Sequence, residues 1–312
     1  MNDPELMAPL AVFHGAKPPA PDWFDKALAD APERTFIEVE GAKLETLSWG
    51  RRGLPGLMLL HGGAAHADWW AFIGPLFADR YRVVAPTFSG MGRSDWRPKY
   101  EMRQFAREAR ETGRALGAFD AGPPVVIAHS FGARVAAEVA HDFGPEIAGA
   151  VLVDPPFFAP QNHRPPNPPR ASKGHRAHAS LCALIARFRL SPPQPCENLF
   201  ILDYIARTSA RETVDAEGHK RWNLGFDPHF WERLGRFDMA DELKGARAPL
   251  ALIRGEKSQL FQKADADYLM SLIPPGSPSL VLPDAEHHVM IDQPLAFVAM
   301  VEALLAGWPS GS

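Results

Sequence analysis

Six short runs, apolar almost throughout, punctuate this chain: GLMLL (56–60), YRVVAP (81–86), PVVIAH (124–129), AGAVLVD (148–154), PLALIRG (249–255) and SLVLPD (279–284). Amphipathic stretches of helical length separate most of them, at about 66–79, 102–118, 131–143, 261–272 and 293–308. A strand wetted on one side alternates apolar with polar residues, whereas a strand apolar at every position is covered on both faces. Strands of the second kind alternating with helices imply an α/β fold: a doubly wound, mostly parallel sheet between two helical layers. Upstream, TFIEVE and KLETLSW do alternate, around a turn at Gly41, and read as an antiparallel hairpin near a sheet edge.

The alternation breaks once. Between Asp154 and Pro249 some 95 residues carry no strong strand pattern, and seven prolines fall within residues 155–170. So many prolines bar a continuous helix or strand. Helical periodicity resumes over 178–190, 196–210 and 228–245. Residues 155–245 therefore read as a helical cap inserted after the sixth strand. The core is expected at 34–154 and 246–312, with a polar lead over 1–33. A length of 312 residues suits one core with such an insertion.

One joint in the pattern asks for chemistry. In VVIAHSFGARVA (125–136) a buried strand stops and a helix begins, and Ser130 sits between them. A serine there stands proud of the sheet's carboxyl edge, and the helix N-terminus behind it offers N–H groups where an oxyanion can form. The crowded turn needs small residues two before and two after, and these are Ala128 and Gly132. The plain alternative is a serine N-cap.

With AHSFG, three further motifs make residues 35–308 resemble the α/β-hydrolase superfamily. LLHGGAAHADWW (59–70) looks like the HG turn after the third strand. APTFSGMGRSDW (85–96) looks like the D-x-x-G-x-G-x-S segment, with Thr87 where an Asp is usual. LPDAEHHVMIDQP (282–294) looks like the final strand and its histidine turn. The resemblance implies Ser130 as nucleophile and His287 as general base, with His288 as rival. It gives the amides of Gly63 and Phe131 to an oxyanion hole. His61 is expected to brace the HG turn, beside the close approach that Gly62 and Gly63 permit. His129 is expected to pack.

The acid stays open. The family usually carries it after the seventh strand, in a G-x-x-D segment, but here LIRGEKSQLF puts Ser258 in that place. Asp154, at the end of the sixth strand, and Glu256 are the two replacements, and a site without an acid is the third possibility. Trp69, Trp70, Phe157 and Phe158 flank the expected pocket, as acyl-pocket lining or as core.

Residues 155–196 contain no Asp or Glu but hold Arg164, Arg170, Lys173, Arg176, Arg187 and Arg189, interleaved with His163, His175 and His178. Such a stretch is either a solvated face or a mouth that attracts an anionic substrate. Its histidines lack metal-ligand spacing, so no metal is expected. SGMGRS lacks both G-x-G-x-x-G and a Walker lysine, so no nucleotide cofactor is expected. The net charge of −4, from 33 basic and 37 acidic residues, gives no reason to expect nucleic acid. Without an 18-residue apolar run or a signal-like start, and with only Cys182 and Cys196, a reducing cytoplasmic setting is expected.

The expectation is thus a cofactor-independent serine hydrolase acting on a small-molecule carboxylic ester. Lactones, amides or carbon–carbon bonds are alternatives for the same site. A non-catalytic ligand-binding protein on the same fold is the rival class, motivated by Ser258 in the acid's usual place.

Overall fold

The computed structural model describes residues 8–162 and 177–308. Its strands are β1 (Glu33–Val39), β2 (Ala42–Trp49), β3 (Gly56–Leu60), β4 (Arg82–Pro86), β5 (Val125–His129), β6 (Gly149–Val153), β7 (Ala210–Val214), β8 (Lys220–Leu224), β9 (Leu250–Gly255) and β10 (Ser279–Leu282). Its α-helices are α1 (Asp22–Ala29), α2 (Met102–Ala115), α3 (Phe131–Asp142), α4 (Leu181–Ile185), α5 (Leu199–Ser209), α6 (Phe230–Arg233), α7 (Met239–Lys244), α8 (Lys263–Leu272), α9 (Val289–Asp292) and α10 (Pro294–Ala306).

Eight strands make one sheet in the order β1-β2-β4-β3-β5-β6-β9-β10. β1 and β2 form the expected hairpin, with Val39 opposite Ala42 and positive φ at both Glu40 and Gly41. β2 joins β4 antiparallel, and every pairing from β4 to β10 is parallel. The two faces of a single strand go to different cores. Leu57 and Leu59 pack with Phe24 of α1 and Phe297 of α10, whereas Met58 and Leu60 pack with Phe105 of α2 and Val135 of α3. This is the physical content of an all-apolar strand: period-two side chains find apolar partners on both sides.

Strand order also locates the site. β3 lies between β4 and β5, so the chain leaves β3 one way and later returns on the other side. At such a reversal, loops diverge from the carboxyl edge and leave a crevice. The turns after β3, β5, β6, β9 and β10 all leave that edge.

Local departures from the sequence reading have local causes. The helix expected over 66–79 is two 3-10 turns, Ala67–Trp70 and Gly74–Phe77. Pro75 cannot continue a helical ladder, and a Cβ on Gly74 would lie 2.8 Å from the Trp49 ring. The last helix starts at Pro294 as expected, and a short helix, α9, precedes it. Between β6 and β9, β7 and β8 form a two-stranded antiparallel pair that the sequence does not announce. Most of its side chains are exposed or half-buried, so no apolar alternation marks it. No helix among the described residues is long and apolar enough to cross a membrane.

Candidate active site

Ser130 ends β5 and begins α3 with φ 53° and ψ −118°, a conformation that L residues rarely adopt and that costs about 1–3 kcal/mol. Its amide donates to Val153 O on the neighbouring strand at 2.9 Å. A Cβ on Gly132 would stand 2.7 Å from the carbonyls of Leu60 and His61, so α3 can start this close to β3 only with glycine there. The strained turn holds the serine hydroxyl out over the edge.

His287 lies on the turn between β10 and α9. Its Nε2 is 3.0 Å from Ser130 Oγ, and its Nδ1 is 2.7 Å from Asp154 Oδ2. A carboxylate only accepts, so Nδ1 carries the proton and the Nε2 lone pair faces the serine hydroxyl. Asp154 is wholly buried at the end of β6. Its Oδ1 accepts the Gly255 amide at 3.0 Å, and its Oδ2 also accepts the Ser258 hydroxyl at 2.7 Å. Burial pushes this carboxyl up, to about 7, against the downward pull of those two donors. Burial also holds the His287 imidazole down, to about 3.

Of the two acids singled out in the sequence, Asp154 therefore meets His287. Glu256 is exposed and accepts the Asp284 amide at 3.1 Å. Adjacency of β6, β9 and β10 decides this, because it brings the turns bearing Asp154, Ser258 and His287 side by side.

The other histidines support the turn. His129 donates from Nε2 to the His287 carbonyl at 2.9 Å, and its Nδ1 has no partner. His61 bridges Gly62 O, 2.8 Å from Nδ1, and the Phe88 amide, 3.0 Å from Nε2. It thereby ties the HG turn to the loop after β4. Thr87, in the place usual for Asp, accepts the Ala67 amide at 3.0 Å. His288 is buried, and burial holds it well below the ordinary histidine value. His129, His287 and His288 each bring one ring nitrogen within 4.8 Å of the others. Both nitrogens of His287 are already engaged, so a cation there would have to break the link from Ser130 to Asp154.

A cavity of about 1370 Å³ opens over Ser130, with Gly63, Phe131 and Trp69 in its wall. Among the described residues the Gly63 and Phe131 amides donate to no internal acceptor. Of the four aromatics expected at the pocket, only Trp69 lines it. Trp70 is fully buried and stacks on Phe297, and Phe157 is buried with its ring stacked on Tyr268. Phe158 is not in the wall. In their place stand Trp231, Phe188 and Phe226, which the sequence did not single out, together with Arg134. Arg187, Arg189 and His178 also line the cavity. His163, Arg164, Arg170, Lys173, His175 and Arg176 lie outside the described residues.

Comparison with known proteins agrees with this architecture. Residues 57–300 match the model of the alpha/beta hydrolase family. A stretch of 92 residues, 27% of this chain and 29% of the relative's length, is 33% identical to a fluoroacetate dehalogenase from a Burkholderia species. Among solved structures, the thioesterase domain of the curacin biosynthetic pathway is similar, with a TM-score of 0.70 and 22% identity over 87% of this chain and 99% of that one. An E-2-(acetamidomethylene)succinate hydrolase matches with a TM-score of 0.71 and 19% identity over 88% and 100% of the two chains. An esterase from Mycobacterium tuberculosis matches with a TM-score of 0.66 and 22% identity over 97% and 98%. At these identities the structural likeness speaks to fold. With the family model spanning most of the chain, and the strand order and elbow as described, the protein belongs to the alpha/beta hydrolase family.

Proposed function

We propose that the protein is a serine hydrolase that cleaves a carboxylic ester through an acyl-enzyme. The observation that carries this reading is the unbroken hydrogen-bonded line from Ser130 Oγ through His287 to Asp154. Ser130 Oγ attacks the ester carbonyl carbon while its proton passes to His287 Nε2. The tetrahedral oxyanion is held by the Gly63 and Phe131 amides. Collapse expels the alcohol, which takes the proton from Nε2. Water then attacks the acyl-enzyme, gives a proton to Nε2 and releases the acid, and that proton returns to Ser130. Asp154 fixes the tautomer and stabilises the imidazolium. A hydroxyl at the elbow suits attack on a carbonyl, so an ester is preferred here to the carbon–halogen bond named for the Burkholderia relative. Lactones, amides and carbon–carbon bonds beside a ketone would use the same groups.

In this reading residues 155–245 are a lid over the carboxyl edge. Its support is that wall residues of the cavity come from both parts, Leu184 and Trp231 from the insertion and Gly63 and Ser130 from the sheet. The test is turnover of a short-chain 4-nitrophenyl ester. Wild-type protein is expected to turn over with an acyl burst, and folded Ser130→Ala to be inactive. Wild-type rates in Ser130→Ala would overturn the serine mechanism.

A further inference from the structure

Arg134 follows Ser130 by four residues, one turn along α3, and lies in the wall of the same cavity. Among the described residues no carboxylate pairs with it. Its Nη2 donates to the Pro156 carbonyl, and among the described residues its buried Nε has no partner. Three other arginines beside the sheet are neutralised. Arg34 pairs with Asp68, Arg82 with Glu33 and Arg97 with Glu108. Arg211, which also lacks an ion pair, instead donates to the Thr208 and Ala210 carbonyls and does not line this cavity.

A largely buried guanidinium without a counter-charge is costly, and burial alone holds Arg134 below the ordinary arginine value. None of the described residues in the cavity wall is Asp or Glu, and Arg187 stands in the same wall. The planar donors of arginine match a carboxylate.

We propose that Arg134 binds a carboxylate carried on the acyl part of the substrate, so that the preferred ester is a monoester of a short dicarboxylic acid. The inference rests on acylation of Ser130. Four helical residues rise about 6 Å. A short acyl chain, as in succinyl or glutaryl esters, keeps its carboxylate within about one helical turn of the scissile carbonyl.

The experiment compares 4-nitrophenyl hemiglutarate with 4-nitrophenyl valerate, which has the same acyl length without the charge. Wild type is expected to favour the hemiglutarate in kcat/KM by roughly tenfold or more, the scale of one charge-assisted hydrogen bond. Arg134→Gln is expected to cut that ratio by a similar factor, mainly through KM, and Arg134→Lys to restore part of it. No preference in wild type, or an unchanged ratio in Arg134→Gln, would overturn the proposal. Should Arg134→Gln fail to fold, Arg134→Lys alone decides, since it keeps the charge but not the fork: an intermediate ratio supports the proposal and an unchanged one overturns it. Calorimetric binding of glutarate to Ser130→Ala protein, with and without Arg134→Gln, needs no turnover. If wild type hydrolyses neither ester, the serine-hydrolase reading fails, while loss of glutarate binding on Arg134→Gln would still identify the anion site and equal binding would refute it.

Discussion

Ser258 donates its hydroxyl to Asp154 at 2.7 Å, on the same carboxylate oxygen that meets His287. The residue standing where the resemblance puts the acid thus hydrogen-bonds the carboxylate that meets His287, at the end of a neighbouring strand. Exchange of a charged group for a hydroxyl leaves the position within the site, one hydrogen bond further out.

That relationship predicts the pH profile. Burial raises the Asp154 carboxyl, and the Ser258 hydroxyl is the first of the groups that pull it back. Removing that donor in Ser258→Ala favours the protonated carboxyl further. The acid limb of kcat/KM, which reports the Asp154–His287 pair as a unit, is expected to move to higher pH. Activity on the alkaline plateau is expected to fall by about tenfold, the scale of one hydrogen bond to a charged group. An acid limb that stays put would separate Ser258 from the titrating pair.

Asp154→Asn keeps the shape but loses the charge and lets Nδ1 give up its proton. A loss of about 10⁴ in kcat is expected, on the scale of the same change in another serine-hydrolase triad. Glu256→Gln, on an exposed side chain that only caps the Asp284 amide, is expected to cost less than about threefold, as for a surface substitution. Both are checked on one ester at one pH. A silent Asp154→Asn with a crippled Glu256→Gln would move the acid.

How much of this was legible in the sequence follows from what leaves a pattern. Strands covered on both faces read as unbroken apolar runs, so the sheet was visible, and so was the elbow, because Ala128, Ser130 and Gly132 are spaced by a steric need. The acid was ambiguous because sequence does not say which strand ends touch; the order β6-β9-β10 does. Trp70 and Phe157 read as pocket or core alike, because an aromatic near a site packs inward or outward with equal sequence support. The exposed β7–β8 pair has no buried face to announce it. Arg134 carries no pattern that sets it apart in the sequence, and its place in the cavity wall depends on the packing around it.

The elbow predicts a stability trade. Glycine tolerates the positive φ of Ser130, whereas alanine does not. Ser130→Gly is expected to be more stable than Ser130→Ala by about 1 kcal/mol, within the range for such strain. By contrast, Gly132→Ala forces a Cβ to 2.7 Å from two carbonyls and is expected to destabilise by about 1–3 kcal/mol. Urea denaturation of the three variants beside wild type checks both signs.

Acid unfolding follows from the buried histidines. Burial holds His61, His129 and His287 down to about 3, and His288 well below its ordinary value. Unfolded, they titrate near 6.5, so each contributes stability above that pH and withdraws it as pH falls. Burial raises Asp154 and Glu138 to about 7 and Asp292 to about 6, which runs the other way: the folded form holds protons that the unfolded form has released. Three carboxyls offset at most three of the four histidines between about pH 6.5 and 4, so a net loss of about 1.4 kcal/mol per pH unit or a little more remains there. Below about 4 the unfolded carboxyls are protonated too and all four histidine differences act together, at about 1.4 kcal/mol per pH unit for each. Stability is expected to decline gently down to about pH 4 and to collapse between about 4 and 3. A steep loss starting at about 6.5 would show that the carboxyl groups are not raised.

The central claim is that Ser130 is a nucleophile activated by His287. The most direct measurement is intact-mass analysis after treatment with a fluorophosphonate, followed by peptide mapping, on wild type, Ser130→Ala and His287→Ala. The account predicts a single adduct on Ser130 in wild type, none in Ser130→Ala, and labelling slowed by about 10²-fold or more in His287→Ala, the lower range for loss of a general base. Folded wild-type protein that takes no label, or takes it on a residue other than Ser130, would contradict it.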